Sequence, residues 1–228
     1  MNQPGKRTYG QYCALAVALD VIGERWTLLI IRELLIRPRR YAELLAALPG
    51  IGTNLLADRL RFLTEEGIIR SIDPDNRRIG YELTEHGEAL QSTVLALARW
   101  GLETMAGHAS SGDVRPDWAA LGVQALIDDA RTAAVDDDYL FLVDDEAFTI
   151  SVRDHHAVAH DGATDAPTLT VKTDAVTLLD IGMRKLDPVA ALVGGRLAVS
   201  ASDPAAMVRC LTLLGLYEGR PDAGEAIS

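Results

Sequence analysis

Three groups of side chains in this sequence carry types and spacings able to do chemistry. The first is Arg77-Arg78, which follows the turn-forming run Asp73-Pro74-Asp75-Asn76 between two strand-like stretches, residues 68–72 and 79–83. Cations at the tip of a hairpin suit phosphate contact, because each phosphate they neutralise releases counterions. The second group is Asp154-His155-His156 with His160. On a continuous strand His156 and His160 share a face, which is a minimum for metal or acid–base chemistry. No third ligand, nucleophile or phosphate-binding glycine loop accompanies them, so neither a metal site nor an enzyme is expected, and no cofactor. The third group is Cys13 and Cys210, too far apart in sequence for a metal spacing and too few for a disulfide scaffold.

The elements that must position the arginines are written in residues 19–84. From Arg25 the apolar residues Trp26, Leu28, Leu29, Ile30, Leu34 and Leu35 recur at helical spacing until Arg37-Pro38 ends the run. Tyr41, Leu44, Leu45 and Leu48 make a second, short amphipathic helix, closed by Pro49-Gly50. After the turn Gly50-Ile51-Gly52, Thr53 is the expected N-cap of a third helix. At about 100° per residue, Leu55, Leu56, Leu60, Phe62 and Leu63 fall on one arc, opposite Asn54, Ala57, Asp58, Arg61 and Glu65. Helix, turn, helix and arginine-tipped hairpin together predict a winged helix-turn-helix, mainly α with a β-hairpin wing. The expected contacts to double-stranded DNA are Thr53, Asn54, Asp58 and Arg61 on the reading helix, with Arg39, Arg40, Arg77 and Arg78 on phosphates. Asp58 can accept only from a cytosine amino group and otherwise repels phosphate. Arg59 lies on the apolar arc, where a structural ion pair or a bent-back phosphate contact suits it better than base reading.

Residues 12–105 resemble the HxlR family of bacterial winged-helix regulators. The resemblance is carried by Cys13, by LDVIGERWTLLIIREL from Leu19, by ADRLRFLTEEGII from Ala57 and by YELTEHGEAL from Tyr81. It implies a homodimeric transcription factor on a near-palindromic operator, with the terminal helices of the domain forming the dimer interface. It also offers Cys13 as a sensor of oxidants or electrophiles. The apolar setting YCALAVAL, with no basic residue adjacent, favours a packing role instead. Cys210 shares a stripe with Met207, Leu211 and Leu214 and is expected in a core.

Charge separates the chain into halves. Residues 1–105 hold 13 Lys+Arg against 13 Asp+Glu, and residues 106–228 hold 9 against 20, so the whole net charge of −11 belongs to the second half. The first half can therefore meet DNA while the second stays away from phosphates. Thr84 begins a helix whose stripe Leu90, Val94, Leu97, Ala98, Leu102 and Met105 needs a partner. The expected domains are 1–105 for DNA binding and dimerisation, 106–117 as linker, 118–219 as a second domain and 220–228 as tail. No apolar run reaches the ~18 residues of a membrane span, and the N-terminus lacks a signal-peptide core, so a cytoplasmic protein without membrane association is expected.

The second domain reads as α+β with a mainly antiparallel sheet. Its strands are 139–143, 147–152, 156–159, 168–172 and 196–200, after a helix over 121–134. Its later helices start at Asp174, Asp187-Pro188 and Asp203-Pro204, each aspartate an expected N-cap. From Trp118 to Leu216 this pattern resembles the sterol-carrier-protein (SCP-2-like) domain, through FLVDDEAFTISVRD, LTVKTD and LDPVAALVGGRLAV. The resemblance implies an apolar tunnel for a small molecule or lipid, with Val176, Leu179, Met183, Leu192, Met207 and Leu211 among its lining. As plain sequence these are ordinary core residues. Two alternatives stand beside a ligand-responsive regulator: the second domain only dimerises, or a lipid carrier has acquired a DNA-binding module.

Overall fold

The computed structural model describes residues 8–72, 80–105 and 114–217. Arg77, Arg78, the turn Asp73-Pro74-Asp75-Asn76 and most of the expected linker lie outside the described residues. The chain divides into two compact units, residues 1–94 and 95–228.

In the first unit α1 (Ala14–Ile22), α2 (Thr27–Ile36), α3 (Tyr41–Ala47) and α4 (Thr53–Glu65) precede β1 (Ile69–Ser71) and β2 (Tyr81–Leu83). A short α5 (Glu85–Glu88) follows, and α6 (Gln91–Met105) runs across the division. Ile30, Ile31, Leu44, Leu56 and Leu63 are fully buried and form the core of this unit. Helix α1 is not legible from sequence, because ALAVAL is apolar on every side and shows no period. Helix α2 starts two residues later than its apolar period suggests, since Trp26 has φ 78° and cannot continue a helix. Thr84 caps only the four-residue α5, through Gly87 N–H at 3.2 Å, and α6 starts afresh at Gln91.

The wing is anchored by a third, one-residue strand. β1 and β2 pair antiparallel with Arg70 opposite Glu82, and Arg39 bridges Tyr81 from the other side. The two main-chain bonds of that bridge measure 3.0 and 2.7 Å. Gly80 permits the approach: a Cβ there would lie 2.5 Å from the Arg39 carbonyl oxygen.

The second unit contains α7 (Ala119–Leu126), β3 (Asp137–Val143), β4 (Glu146–Arg153), β5 (His156–Asp161), β6 (Leu169–Thr173), α8 (Ala175–Gly182), α9 (Pro188–Val193), β7 (Leu197–Ala201) and α10 (Ala206–Leu213). The sheet order is β5-β4-β3-β6-β7, antiparallel throughout except for the β3–β6 pair. Alternate residues of the strands, such as Tyr139, Phe141, Ile150 and Val171, pack with Ile181, Ala191, Cys210 and Leu213 from the helices. Phe141 and Phe148 stack at 4.9 Å across the β3–β4 pair. The α+β layout with a mainly antiparallel sheet matches the sequence expectation. The helix expected over 121–134 ends at Leu126, and a single 3-10 turn, Asp129–Arg131, follows.

Asp174 and Asp187 cap their helices, accepting from Thr177 N–H at 2.8 Å and Ala190 N–H at 2.9 Å. Asp203 differs: it accepts from Ala205 N–H ahead of α10, whose N-cap is Ala205. Among the described residues no helix is long and apolar enough to cross a membrane.

Candidate nucleic-acid interface

Helix α4 is divided as an amphipathic period requires, except that Leu55, expected on the apolar arc, is exposed. Leu56, Leu60 and Leu63 are buried to 2 % exposure or less, while Thr53, Asn54, Ala57, Asp58 and Arg61 are exposed on the opposite arc. The helix start is Gly52 rather than Thr53, with Gly52 extended and its carbonyl accepting from Leu56 N–H at 3.0 Å. The end is a Schellman closure: Gly67 has φ 69°, its N–H reaches the Thr64 carbonyl at 3.1 Å, and Ile68 N–H reaches the Leu63 carbonyl at 2.9 Å.

Three contacts fix how α4 sits. The Tyr41 hydroxyl donates to the Thr53 carbonyl at 2.7 Å. Arg59 turns away from the exposed arc and meets Glu24 at 2.8 Å, which makes it a structural ion pair. Gly50 takes φ 94°, which only glycine adopts freely, and so shapes the helix-turn-helix turn beside the Trp26 ring. On the exposed arc itself, Arg61 Nη2 lies 2.5 Å from Asp58 Oδ1. Tyr41, Glu24 and the Asp58–Arg61 pair escape sequence reasoning, because each depends on which side chain of several nearby reaches its partner.

Arg39 corrects an expectation. It is 3 % exposed, and its guanidinium stands 3.3 Å from the buried Glu33 carboxylate. It anchors the wing and presents no charge to solvent. Arg40 is exposed, and its N–H donates to Glu43 at 2.6 Å. That bond holds the Glu43 carboxyl below its usual range against the opposing effect of burial, with the Arg37 charge adding to it.

The remaining candidates divide similarly. Cys13 is exposed at the N-terminus of α1 rather than packed, and the main-chain N–H groups of Ala16 and Leu15 hold its thiol below the ordinary value. It lines an apolar cavity of about 590 Å³ with Tyr12, Val17, Val21, His86 and Leu90. Cys210 is buried as expected, and burial pushes its thiol up to about 12.

The histidines are explained by turn geometry. Asp154 and His155 have φ 48° and 64°, as a type I′ hairpin turn demands, and His156 lies 3.4 Å from Asp129. Among the described residues no group of side chains could hold a metal ion.

The expected tunnel is not open. Met207 and Leu211 line an apolar cavity of about 40 Å³ with Phe141, Leu178 and Ile181. Small-molecule sites run to roughly 300 Å³ or more. Met183 is buried, Leu179 and Leu192 are half-buried, and Val176 is 51 % exposed, so Val176 lines no interior space.

Residues 21–109 match the HxlR-like helix-turn-helix family. An HTH-type transcriptional regulator of Synechocystis sp. is 37% identical over 94 residues, which cover 40% of this chain and 70% of that protein. The chain belongs to the HxlR-like helix-turn-helix family. A second relative, the HTH-type transcriptional regulator YvaP of Bacillus subtilis, is 36% identical over 88 residues, covering 38% of this chain and 82% of YvaP. The crystal structure of a MarR-family regulator from Porphyromonas gingivalis aligns with 42% of this chain and 97% of its own, at 32% identity and a TM-score of 0.39. The HxlR match ends at residue 109 and so excludes almost all of the second unit.

Proposed function

We propose that this HxlR-like protein is a cytoplasmic, DNA-binding transcriptional regulator that binds a near-palindromic operator as a homodimer. The observation that carries it is the exposed arc of α4, where Thr53, Asn54, Asp58 and Arg61 stand on a helix fixed from behind by three buried leucines. Arg40, with Arg77 and Arg78 of the wing sequence, supplies phosphate contacts, which set register without carrying sequence information. Two helices support a homodimer. On α1, Leu15 and Val17 are 67 and 54 % exposed, and on α6, Leu97 and Trp100 are 46 and 65 % exposed. Each pair is an apolar stretch of its own helix, and an isologous contact through either helix would cover it.

The test is selection of bound sequences from a randomised duplex library by the full-length protein, followed by titration of the winner. A two-fold-symmetric site, with half-sites one or more turns of ~34 Å apart, is expected. Failure to enrich any sequence overturns the reading.

For the second unit, the 40 Å³ cavity favours a packed module that supports assembly over a lipid-filled one. The rival role, response to an apolar ligand, requires the core around Met207 and Leu211 to open. Native mass spectrometry of protein taken directly from cells separates the two, by a retained lipid-sized mass or none. Cys13 is a second candidate input, since an exposed thiol with lowered pKa that lines an apolar cavity is open to oxidants or electrophiles.

A further inference from the structure

We propose that Asp58 holds Arg61 in a fixed orientation, so that the arginine reads one guanine in the major groove of each half-site. The proposal rests on the DNA-binding reading of α4 and assigns a base and a positioning residue within it.

The geometry begins with the pair itself. Arg61 Nη2 donates to Asp58 Oδ1 at 2.5 Å, one helical turn apart, and the two side chains are 68 and 60 % exposed. An ion pair this open adds little to folding. An aspartate on a DNA-facing arc is also a liability, because it repels phosphate and finds only a cytosine amino group to accept from. Its presence is accounted for if its partner is the arginine. A long cation that is free to swing seeks the nearest phosphate, whereas one tethered to a neighbouring carboxylate is held over the centre of the arc and carries no net charge with its tether.

The chemistry then selects the base. A guanidinium presents five N–H donors in one plane. With one of them on Asp58, each terminal nitrogen can still aim an N–H away from the helix, giving two parallel donors. Guanine offers two acceptors side by side in the major groove, O6 and N7. Adenine sets a donor beside its N7, thymine offers one acceptor, and cytosine offers a donor, so only guanine matches both. Within α4 the sole other cation is Arg59, held by Glu24 off this arc. Arg61 is thus the one cation of α4 placed to read.

Sequence selection with the full-length protein tests this, comparing wild type with Asp58→Ala, Arg61→Ala and the Asp58→Ala/Arg61→Ala double variant. Both sites are exposed, so unchanged thermal melts are expected and serve as the folding control. Wild type is expected to require guanine at one position per half-site. At that position discrimination falls roughly fivefold or more in Asp58→Ala and in Arg61→Ala, the lower end of what a bidentate contact provides. The double variant is expected to be no worse than Arg61→Ala, and Asp58→Ala to bind random DNA at least as well as wild type. Retained guanine preference in Asp58→Ala overturns the proposal. So does a loss at a separate cytosine position that adds to the Arg61→Ala loss, because Asp58 then reads its own base. If wild type enriches no sequence at all, the DNA-binding reading falls and this one with it.

Discussion

The Tyr41 hydroxyl donates to the main-chain carbonyl of Thr53 at 2.7 Å, tying α3 to the first turn of α4. The bond holds the end of the helix that must enter the groove. Tyr41→Phe keeps the ring and removes the donor, so a stability loss of about 0.5–1.5 kcal/mol is expected from thermal or urea unfolding. Operator affinity is expected to fall several-fold while binding to random DNA is unchanged. Equal losses on both DNAs would show that Tyr41 supports the fold and not the placement of α4.

Arg59 and the wing arginines are expected to separate by salt dependence. Arg59→Ala breaks a partly exposed pair with Glu24 and should cost ~0.2–1 kcal/mol of stability, leaving the slope of log K against log salt as in wild type. Arg77→Ala with Arg78→Ala should lower that slope by ~1 for each lost phosphate contact. A changed slope for Arg59→Ala would return it to the DNA surface.

The two cysteines are expected to label oppositely. Cys13 is exposed with its pKa lowered, so its thiolate fraction persists to lower pH than that of an ordinary thiol. Iodoacetamide should modify it in the folded protein, with a rate that starts to rise below the usual range of ~8.5. Cys210, pushed up to about 12, should label only on unfolding. Peptide mass spectrometry after a pH series reads both, and labelling of Cys210 without denaturant would contradict its burial.

In the second unit the buried Asp137 carboxylate accepts two bonds from Arg209, each 2.7 Å, and one from Tyr139 at 2.7 Å. Burial together with this carboxylate pushes the Tyr139 phenol well up. Asp137→Ala leaves the guanidinium without its main partner and should cost about 3 kcal/mol, since breaking one side of a buried pair exceeds what the intact pair contributes. A melt unchanged within error would place the network outside the cooperative unit.

Acid should destabilise the second unit through named groups. Burial opposes the charge of Asp138, but the Arg153 guanidinium and the Ser151 hydroxyl outweigh it and hold the carboxyl below its usual value. Asp174 is lowered in the same sense, by Thr177. A carboxyl with a depressed folded pKa contributes stability above its unfolded pKa of ~3.9 and loses it as pH falls through the folded value. Unfolding free energy is therefore expected to drop below about pH 4, less steeply in Asp138→Asn.

What could be read from sequence and what could not divide on physical grounds. The α4 arc was legible because three leucines at helical spacing are a local pattern, and so were the caps at Asp174 and Asp187. Arg39 was misread because its neighbours Arg37 and Arg40 are exposed cations. Only the bridge to Tyr81, 42 positions away in sequence, shows that its side chain turns inward to Glu33. The size of the cavity beside Met207 and Leu211 was not legible for a related reason. Periodicity says which residues avoid water, and it does not say how much space is left between Met207, Leu211 and the strand residues they pack against.

The bridge at Arg39 also changes how loss-of-function alleles should be interpreted. Glu33 is fully buried on α2 and presents nothing to solvent, yet it holds the residue on which the wing strand Tyr81–Leu83 is hung. A genetic screen for operator-blind mutants would recover Glu33 beside Asn54 and Arg61. Sorted by phenotype alone, a hinge pin would be filed among the fingers.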